Sequence, residues 1–117
     1  MPTKIVSFGF KYSIPELESG DDYIDVRNYI YANPFRVREL ARLKGDDIKV
    51  IEYLEKCTAN IESTYGTILS IAKKLAYGVD SILYIGCTGG KHRSVYIANR
   101  LGKDLGVKVE HRDYNRK

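Results

Sequence analysis

Residues 81–105 read SILYIGCTGGKHRSVYIANRLGKDL, and this stretch decides the fold class. It opens with an apolar run at residues 81–85, bounded by turn residues, which is typical of a buried β-strand. A glycine-rich loop follows, and from about His92 to Leu105 apolar side chains recur every three or four positions. This spacing predicts an amphipathic helix that ends at Gly106. A strand that leads through a short loop into a helix indicates an α/β protein.

The remaining elements are predicted from the same kinds of pattern. Three more strands are indicated by β-branched and aromatic runs or by alternation of apolar and polar side chains: residues 4–10, 23–27 and 107–111. Three more helices are indicated by apolar spacing and caps: residues 35–43, a helix from Asp46 or Asp47 to about residue 56, and residues 58–77 with Gly78 as the stop. Residues 28–34 are expected to be a loop.

The last strand, helix and strand should form a parallel pair joined by a right-handed crossover. We therefore expect residues 1–117 to form a single small α/β domain, with a mostly parallel sheet of about four strands flanked by helices.

Composition and charge restrict the function classes. The chain is 44% hydrophobic and 29% charged, as in an ordinary globular protein. A formal charge of +4, concentrated at residues 91–93 and in the last seven residues, suggests a polyanionic partner, and a solvated basic surface accounts for the charge equally well. Cys57 and Cys87 are too few for a disulfide framework and lack metal-ligand spacing, so we expect reduced thiols and neither a metal nor another cofactor. No signal peptide or membrane span is visible, which favours a cytoplasmic protein without a membrane partner.

The loop between the predicted strand and helix has the composition of an anion site. The first turn of a helix leaves backbone N–H groups unpaired and carries partial positive charge. Gly89 and Gly90 allow the backbone to curl closely around a ligand. Full charges and hydroxyl donors come from the neighbouring side chains Lys91, Arg93, Thr88 and Ser94.

The loop lacks one phosphate-related motif, Walker A, and is similar to another, the cysteine-phosphatase signature. A Walker A loop would require glycine at Ile85 and serine or threonine at His92, so that motif is absent. The run from Cys87 to Ser94 is similar to the cysteine-phosphatase signature CxxGxxR[ST], in which a thiolate attacks phosphorus. Glycine precedes Cys87, where that family usually has histidine. The alternative to a binding loop is therefore a phosphatase with Cys87 as nucleophile and Arg93 as phosphate ligand, its acid being one of Asp25, Asp46 and Asp113.

Several short segments together resemble the C-terminal domain of the RapZ (YvcJ) family. They are SFGFKY at residues 7–12, DVR at 25–27, the Asn33-Pro34 pair, LKGD at 43–46, IGCTGGKHRSV at 85–95 and HRD at 111–113. They follow the family's order and span nearly the whole chain. Departures are Ser13, where glycine is usual, and a short basic tail that ends at Arg116 and Lys117.

The resemblance implies a binding module rather than an enzyme. Family members carry a Walker A loop in an N-terminal domain, which this sequence lacks, so nucleotide hydrolysis is not expected. The family's C-terminal domain implies a phosphorylated small molecule as ligand, an amino-sugar phosphate or a nucleotide, with RNA as a second ligand and a homodimer as the assembly. The implied ligand-binding residues are Thr88, Gly89, Gly90, Lys91, His92, Arg93, Ser94, Lys11, Arg27 and Asn33. The implied RNA-binding residues are Lys91, Arg93, Arg112, Arg116 and Lys117.

Three of the outlying residues have a second interpretation. Lys11 is also consistent with a solvated charge at the end of a strand, and Arg27 with an ion pair to Asp25. His111 is more typical of a packed or surface histidine than of a ligand contact.

Overall fold

The computed structural model describes residues 1–116. Its elements, in chain order, are β1 (Lys4–Gly9), β2 (Asp22–Asp25), α1 (Ile48–Cys57), α2 (Ile61–Lys74), β3 (Ile82–Cys87), α3 (Arg93–Leu105) and β4 (Lys108–His111). Short 3-10 turns occupy Val26–Asn28 and Pro34–Arg36. None of the helices formed by residues 1–116 combines the length and apolar character that a membrane span requires.

The four strands form one sheet in the order β2-β3-β1-β4, and every neighbouring pair is parallel. The predicted α/β fold class is confirmed. The last two strands run in the same direction, as expected, but β1 lies between them. Parallel pairing brings the carboxyl ends of β1 and β3 together, with Gly9 opposite Cys87. This is the edge of an open α/β sheet at which ligands usually bind.

Helix α3 sits against the centre of this sheet. It contacts β1 and β3, and its inner residues Val95, Ile97 and Leu101 are fully buried. Ile5, Leu83 and other residues of the two central strands are likewise inaccessible to solvent. Because both β3 and α3 are fixed by this core, the loop between them is held at both ends.

The other helices confirm most of the predicted pattern. Asp47 caps α1 by accepting a hydrogen bond from the Lys49 amide at 2.9 Å, and Gly106 ends α3 with a φ of 67°. Helix α2 ends earlier than predicted, at the C-cap Leu75 rather than at Gly78.

The helix predicted at residues 35–43 was wrong. Asn33 caps only the 3-10 turn Pro34–Arg36, and Val37 then adopts an extended conformation with φ −106° and ψ 112°. Isolated turns follow, including a hydrogen bond from the Leu43 amide to the Leu40 carbonyl. So short a segment is a marginal helix by itself, and here its path is set by tertiary contacts instead. The segment crosses the end of the β3–α3 loop, where the Gly45 amide donates to the Lys91 carbonyl at 2.7 Å.

Candidate functional site

The loop between β3 and α3 presents unpaired backbone N–H groups. Within residues 1–116, no backbone or side-chain acceptor takes a hydrogen bond from the amides of residues 88–95; the first amide of this region that is paired is Tyr96, which donates to the His92 carbonyl at 3.0 Å. Unpaired amides at the start of a helix, supported by the helix dipole, attract an anion. The backbone N–H groups of residues 88–95 are therefore available as donors, as the position of the loop before a helix led us to expect.

Two glycines allow the loop to lie directly on the end of β1. A Cβ at Gly90, whose φ is 69°, would be 2.6 Å from the Gly9 nitrogen, and a Cβ at Gly9 would be 2.6 Å from the Gly89 carbonyl carbon. Neither position can hold a side chain without displacing backbone. The β3–α3 loop is thus pressed against β1, backbone to backbone.

Asp113 stabilises the end of β1 at which the loop makes this contact. Its carboxylate is fully buried and accepts hydrogen bonds from the Gly9 amide at 2.7 Å, the Arg112 guanidinium at 2.9 Å and Arg116 Nε at 2.7 Å. Burial by itself would raise the pKa of Asp113. The hydrogen bonds from Arg112, Gly9 and Arg116 outweigh burial and hold the pKa below its ordinary value.

The loop forms one wall of a small cavity of about 140 Å³. This anion cavity is lined by Lys11, Asn33, Phe35, Ala41, Cys87, Thr88, Gly89, Lys91, His92 and Arg93. Seven of the ten predicted ligand-binding residues are in that set. No aspartate or glutamate lines it. Phe35 and Ala41 were missed from the sequence because their segment was predicted as a helix.

Arg93 is a buried charged residue of the cavity lining. Its side chain is only 7% exposed, and its Nη1 donates to the Ile30 carbonyl at 3.1 Å. Within residues 1–116 it forms no ion pair with a carboxylate. Burial lowers the pKa of Arg93, and the nearby guanidinium groups of Arg27 and Arg36 lower it further. A buried cation without a carboxylate partner is costly unless an anion joins it.

Arg27 lies at the rim and pairs with Asp25, which is the second interpretation offered by the sequence. Two hydrogen bonds of 2.9 Å join the guanidinium to the two carboxylate oxygens. The remaining nitrogen, Nη1, donates to Thr88 Oγ1 at 3.3 Å. These contacts with Asp25 raise the pKa of Arg27. Arg27 therefore reaches the loop, but with its charge already offset.

Cys87 and Ser94 contact each other below the loop. The Cys87 thiol donates to Ser94 Oγ at 3.1 Å, and both residues are buried. Cys87 lines the cavity, whereas Ser94 does not. Ser94 was predicted as a hydroxyl donor to the ligand; in the structure its oxygen accepts a hydrogen bond from the Cys87 thiol.

His92 is buried beside the cavity with one nitrogen unused. Only 7% of the residue is exposed, and its Nε2 has no hydrogen-bond partner within residues 1–116. Burial lowers the pKa of His92, although the carbonyls of Leu43 and Ala41 act in the opposite direction. The ring is therefore neutral at pH 7 and can donate or accept one hydrogen bond.

The other predicted ligand residues lie around the opening. Lys11 is exposed, and its amide donates to the Thr88 carbonyl at 3.1 Å. Asn33 lines the cavity while its side-chain oxygen accepts from the Phe35 amide at 3.2 Å. Lys91 is half-buried and also lines the cavity.

The predicted RNA-binding residues separate into two groups. Lys91 and Arg93 line the cavity, whereas Arg112 and Arg116 both pair with Asp113. Lys117 lies outside the described residues. His111 is a packed residue, as the sequence favoured: its Nδ1 is 2.6 Å from Ser7 Oγ and its Nε2 is 2.9 Å from Asn99 Oδ1.

The candidate acids for catalysis lie away from the cavity lining. Asp25 pairs with Arg27, Asp113 with the two arginines behind the loop, and Asp46 accepts from the Tyr114 hydroxyl at 2.9 Å. No cluster of His, Cys, Asp or Glu side chains in the described part of the chain has the arrangement of a metal site.

We predict that Asp113→Asn lowers the free energy of unfolding by about 2 kcal/mol at pH 7, because charge-assisted hydrogen bonds in a buried site are lost. The folded-state pKa of Asp113 lies below its ordinary value of 3.8. The carboxylate therefore adds stability above that pH, and the contribution disappears as the pH falls from there through the folded-state pKa. Urea denaturation at pH 7 and pH 3 should show the gap between variant and wild type narrowing in acid. Asp80→Asn at an exposed turn is the control, and an equal loss at both pH values would contradict the assignment.

Comparison with known proteins identifies the family of the chain. The family model for the RapZ C-terminal domain matches residues 1–115. The chain is 40% identical over 119 residues to a protein named nucleotide-binding protein from Fervidobacterium nodosum, covering 93% of this chain and 41% of the relative. A nucleotide-binding protein from Petrotoga mobilis is 41% identical over 123 residues, covering 95% and 41%. The chain thus spans about two fifths of the length of the curated relatives it matches. It belongs to the RapZ C-terminal domain family.

Proposed function

We propose that the anion cavity binds the phosphate group of a phosphorylated small molecule. One observation carries this proposal: residues 88, 89 and 91–93, whose amides are unpaired, and the buried guanidinium of Arg93, which has no carboxylate partner within residues 1–116, line one cavity. Either feature alone is compatible with a structural loop. Together they offer several donors and a positive charge, which an anion satisfies better than a neutral ligand.

The lining residues suggest how phosphate is held. Loop amides and the Thr88 hydroxyl donate to phosphate oxygens, and Arg93 offers a planar pair of donors. Lys11 and Lys91 add positive charge at the opening. Neutral His92 supplies a single hydrogen bond to the ligand through its unused nitrogen.

The cavity size restricts how the ligand sits. A volume of about 140 Å³ accommodates a phosphate group with only a small part of the attached molecule. A sugar or nucleoside must therefore extend toward the opening, past Asn33 and Phe35. An amino-sugar phosphate and a nucleotide both satisfy this requirement. The names of the relatives support a nucleotide, but the chain matches only about two fifths of each of them.

The test substitutes Arg93 by methionine. We expect affinity for inorganic phosphate and for glucosamine 6-phosphate to fall by at least about tenfold, because a charged bidentate donor is removed. Stability without ligand should stay within about 1 kcal/mol of wild type, since the buried cation has no carboxylate to lose. Isothermal titration calorimetry and urea denaturation measure the two quantities.

Arg38→Met is the matched control for that variant, because Arg38 is exposed and lines neither the cavity nor its opening. The proposal fails if wild type binds none of inorganic phosphate, glucosamine 6-phosphate and AMP. It also fails if Arg93→Met and Arg38→Met weaken binding equally.

RNA is proposed as a second ligand of the same face. Lys11 Nζ lies 5.1 Å above the Tyr12 ring and the Arg116 guanidinium lies 4.6 Å above it. Positive groups therefore continue from the cavity opening to the C-terminal residues, which include Arg112. A strip of cations of this kind suits successive phosphates of an RNA backbone.

For RNA, we expect affinity to fall steeply with salt, and Arg116→Gln to reduce the slope of log affinity against log salt by about one, because one phosphate contact is lost. Filter binding with a single-stranded RNA between 50 and 200 mM salt, about the range over which such contacts weaken, measures this slope. Lys73→Gln on α2 is the control. Affinity that does not respond to salt would contradict RNA binding through phosphates.

The second candidate function is a cysteine-dependent phosphatase, favoured by the contact between the Cys87 thiol and Ser94. In this mechanism the thiol loses its proton, the thiolate attacks phosphorus and the alcohol leaves with a proton from solvent. Water then hydrolyses the phosphocysteine to thiol and phosphate. The Ser94 hydroxyl at 3.1 Å is placed to stabilise the thiolate, and Arg93 to hold the phosphate oxygens.

If the protein is a phosphatase, wild type should hydrolyse p-nitrophenyl phosphate and Cys87→Ser should abolish turnover by at least about a thousandfold while phosphate binding survives. Ser94→Ala should lower the rate and raise the pH at which the rate reaches half its maximum, because the thiolate loses a hydrogen bond. No turnover by wild type removes the phosphatase candidate and leaves the binding proposal in place.

A further inference from the structure

A second, more open cavity of about 470 Å³ adjoins the anion cavity. This arginine cleft is lined by Arg27, Tyr31, Ala32, Asn33, Arg36, Tyr53, Thr88 and Arg93. Three of these residues, Asn33, Thr88 and Arg93, also line the anion cavity, so the two spaces meet at a common wall. A ligand of modest size can therefore occupy both.

The positive charge around the two cavities exceeds what one phosphate needs. Their combined lining contains Lys11, Lys91, Arg27, Arg36 and Arg93, and no aspartate or glutamate. Among these cations, Asp25 forms an ion pair with Arg27 alone, although its charge also raises the pKa of Arg93. Four cations remain for a phosphate monoester, which carries a charge of about −1.5 to −2 at pH 7.

Arg36 is the cation that the phosphate-binding proposal leaves unused. It belongs to the turn Pro34–Arg36, whose position is set by Asn33. It lines the arginine cleft but not the anion cavity, and within residues 1–116 it forms no ion pair. Both Arg36 and Arg93 line the cleft, and the charge of Arg36 lowers the pKa of Arg93, although Asp25 acts on that pKa in the opposite direction. An anion bound between two like charges reduces their electrostatic repulsion.

We propose that the anion cavity and the arginine cleft form one site for a small molecule that carries two phosphate groups on a single sugar. This inference rests on the proposed function, because the first phosphate occupies the anion cavity. The second phosphate is held by Arg36, with Arg93 contacting both groups across the common wall. The Asn33 amide, which lies on that wall, binds sugar hydroxyl groups, while the Thr88 hydroxyl stays with the first phosphate. Tyr31 and Tyr53 form the outer side of the cleft.

The experiment compares glucose 6-phosphate with glucose 1,6-bisphosphate by isothermal titration calorimetry at fixed ionic strength. Wild type should bind the bisphosphate at least about tenfold more tightly, as expected for one additional charge-assisted pair. Arg36→Gln should reduce this preference to about twofold or less. Arg38→Gln, an exposed arginine two positions along the chain, should leave the preference intact.

Each outcome decides one proposal. Equal affinity of wild type for the two sugars overturns the two-phosphate site but leaves phosphate binding standing. An equal loss of preference in Arg36→Gln and Arg38→Gln also overturns it, since the preference would then reflect overall charge. If wild type binds neither sugar phosphate and also fails to bind inorganic phosphate, the proposed function itself fails.

Discussion

The unpaired amides of residues 88–95 are the constraint on which the rest of the site depends. They exist because β3 ends beside β1 and α3 begins within a few residues, so the chain has no partner to offer them. Gly9 and Gly90 bring the loop against β1 so closely that side chains are excluded from the contact. Asp113 then fixes the Gly9 amide from behind. One side of the loop thus packs against β1, and the other side lines the anion cavity.

The placement of carboxylates keeps the open side positive. Asp25 and Asp113 each form ion pairs with arginines that do not line the anion cavity. Arg93, in contrast, is buried, and within residues 1–116 its side chain has the Ile30 carbonyl as its one hydrogen-bond acceptor. Burying this cation without a counterion costs stability, and a bound anion would recover it. In a preorganised site of this kind, the same residue, Arg93, lowers the stability of the free protein and raises its affinity for the ligand.

Local sequence features predicted the part of the site that is local in the chain. The strand, glycine loop and helix of residues 81–105 could be identified because apolar spacing and Gly106 are short-range signals, and the cavity is built around that loop. Residues 35–43 were predicted as a helix from their apolar spacing, but the chain leaves the 3-10 turn at Val37 in an extended conformation, which that spacing does not encode. Asp113 was considered only as an acid, and its role behind Gly9 follows from a contact across 104 residues.

The most direct test is a phosphate titration monitored by ¹H–¹⁵N NMR at constant ionic strength. The account predicts saturable downfield shifts of the amide protons of residues 88–95, together with the Arg93 Nε–H, since these donors exchange water for phosphate oxygens. The account would be contradicted if the amide protons of the loop did not shift and the changes were instead spread over exposed lysines such as Lys49 and Lys73.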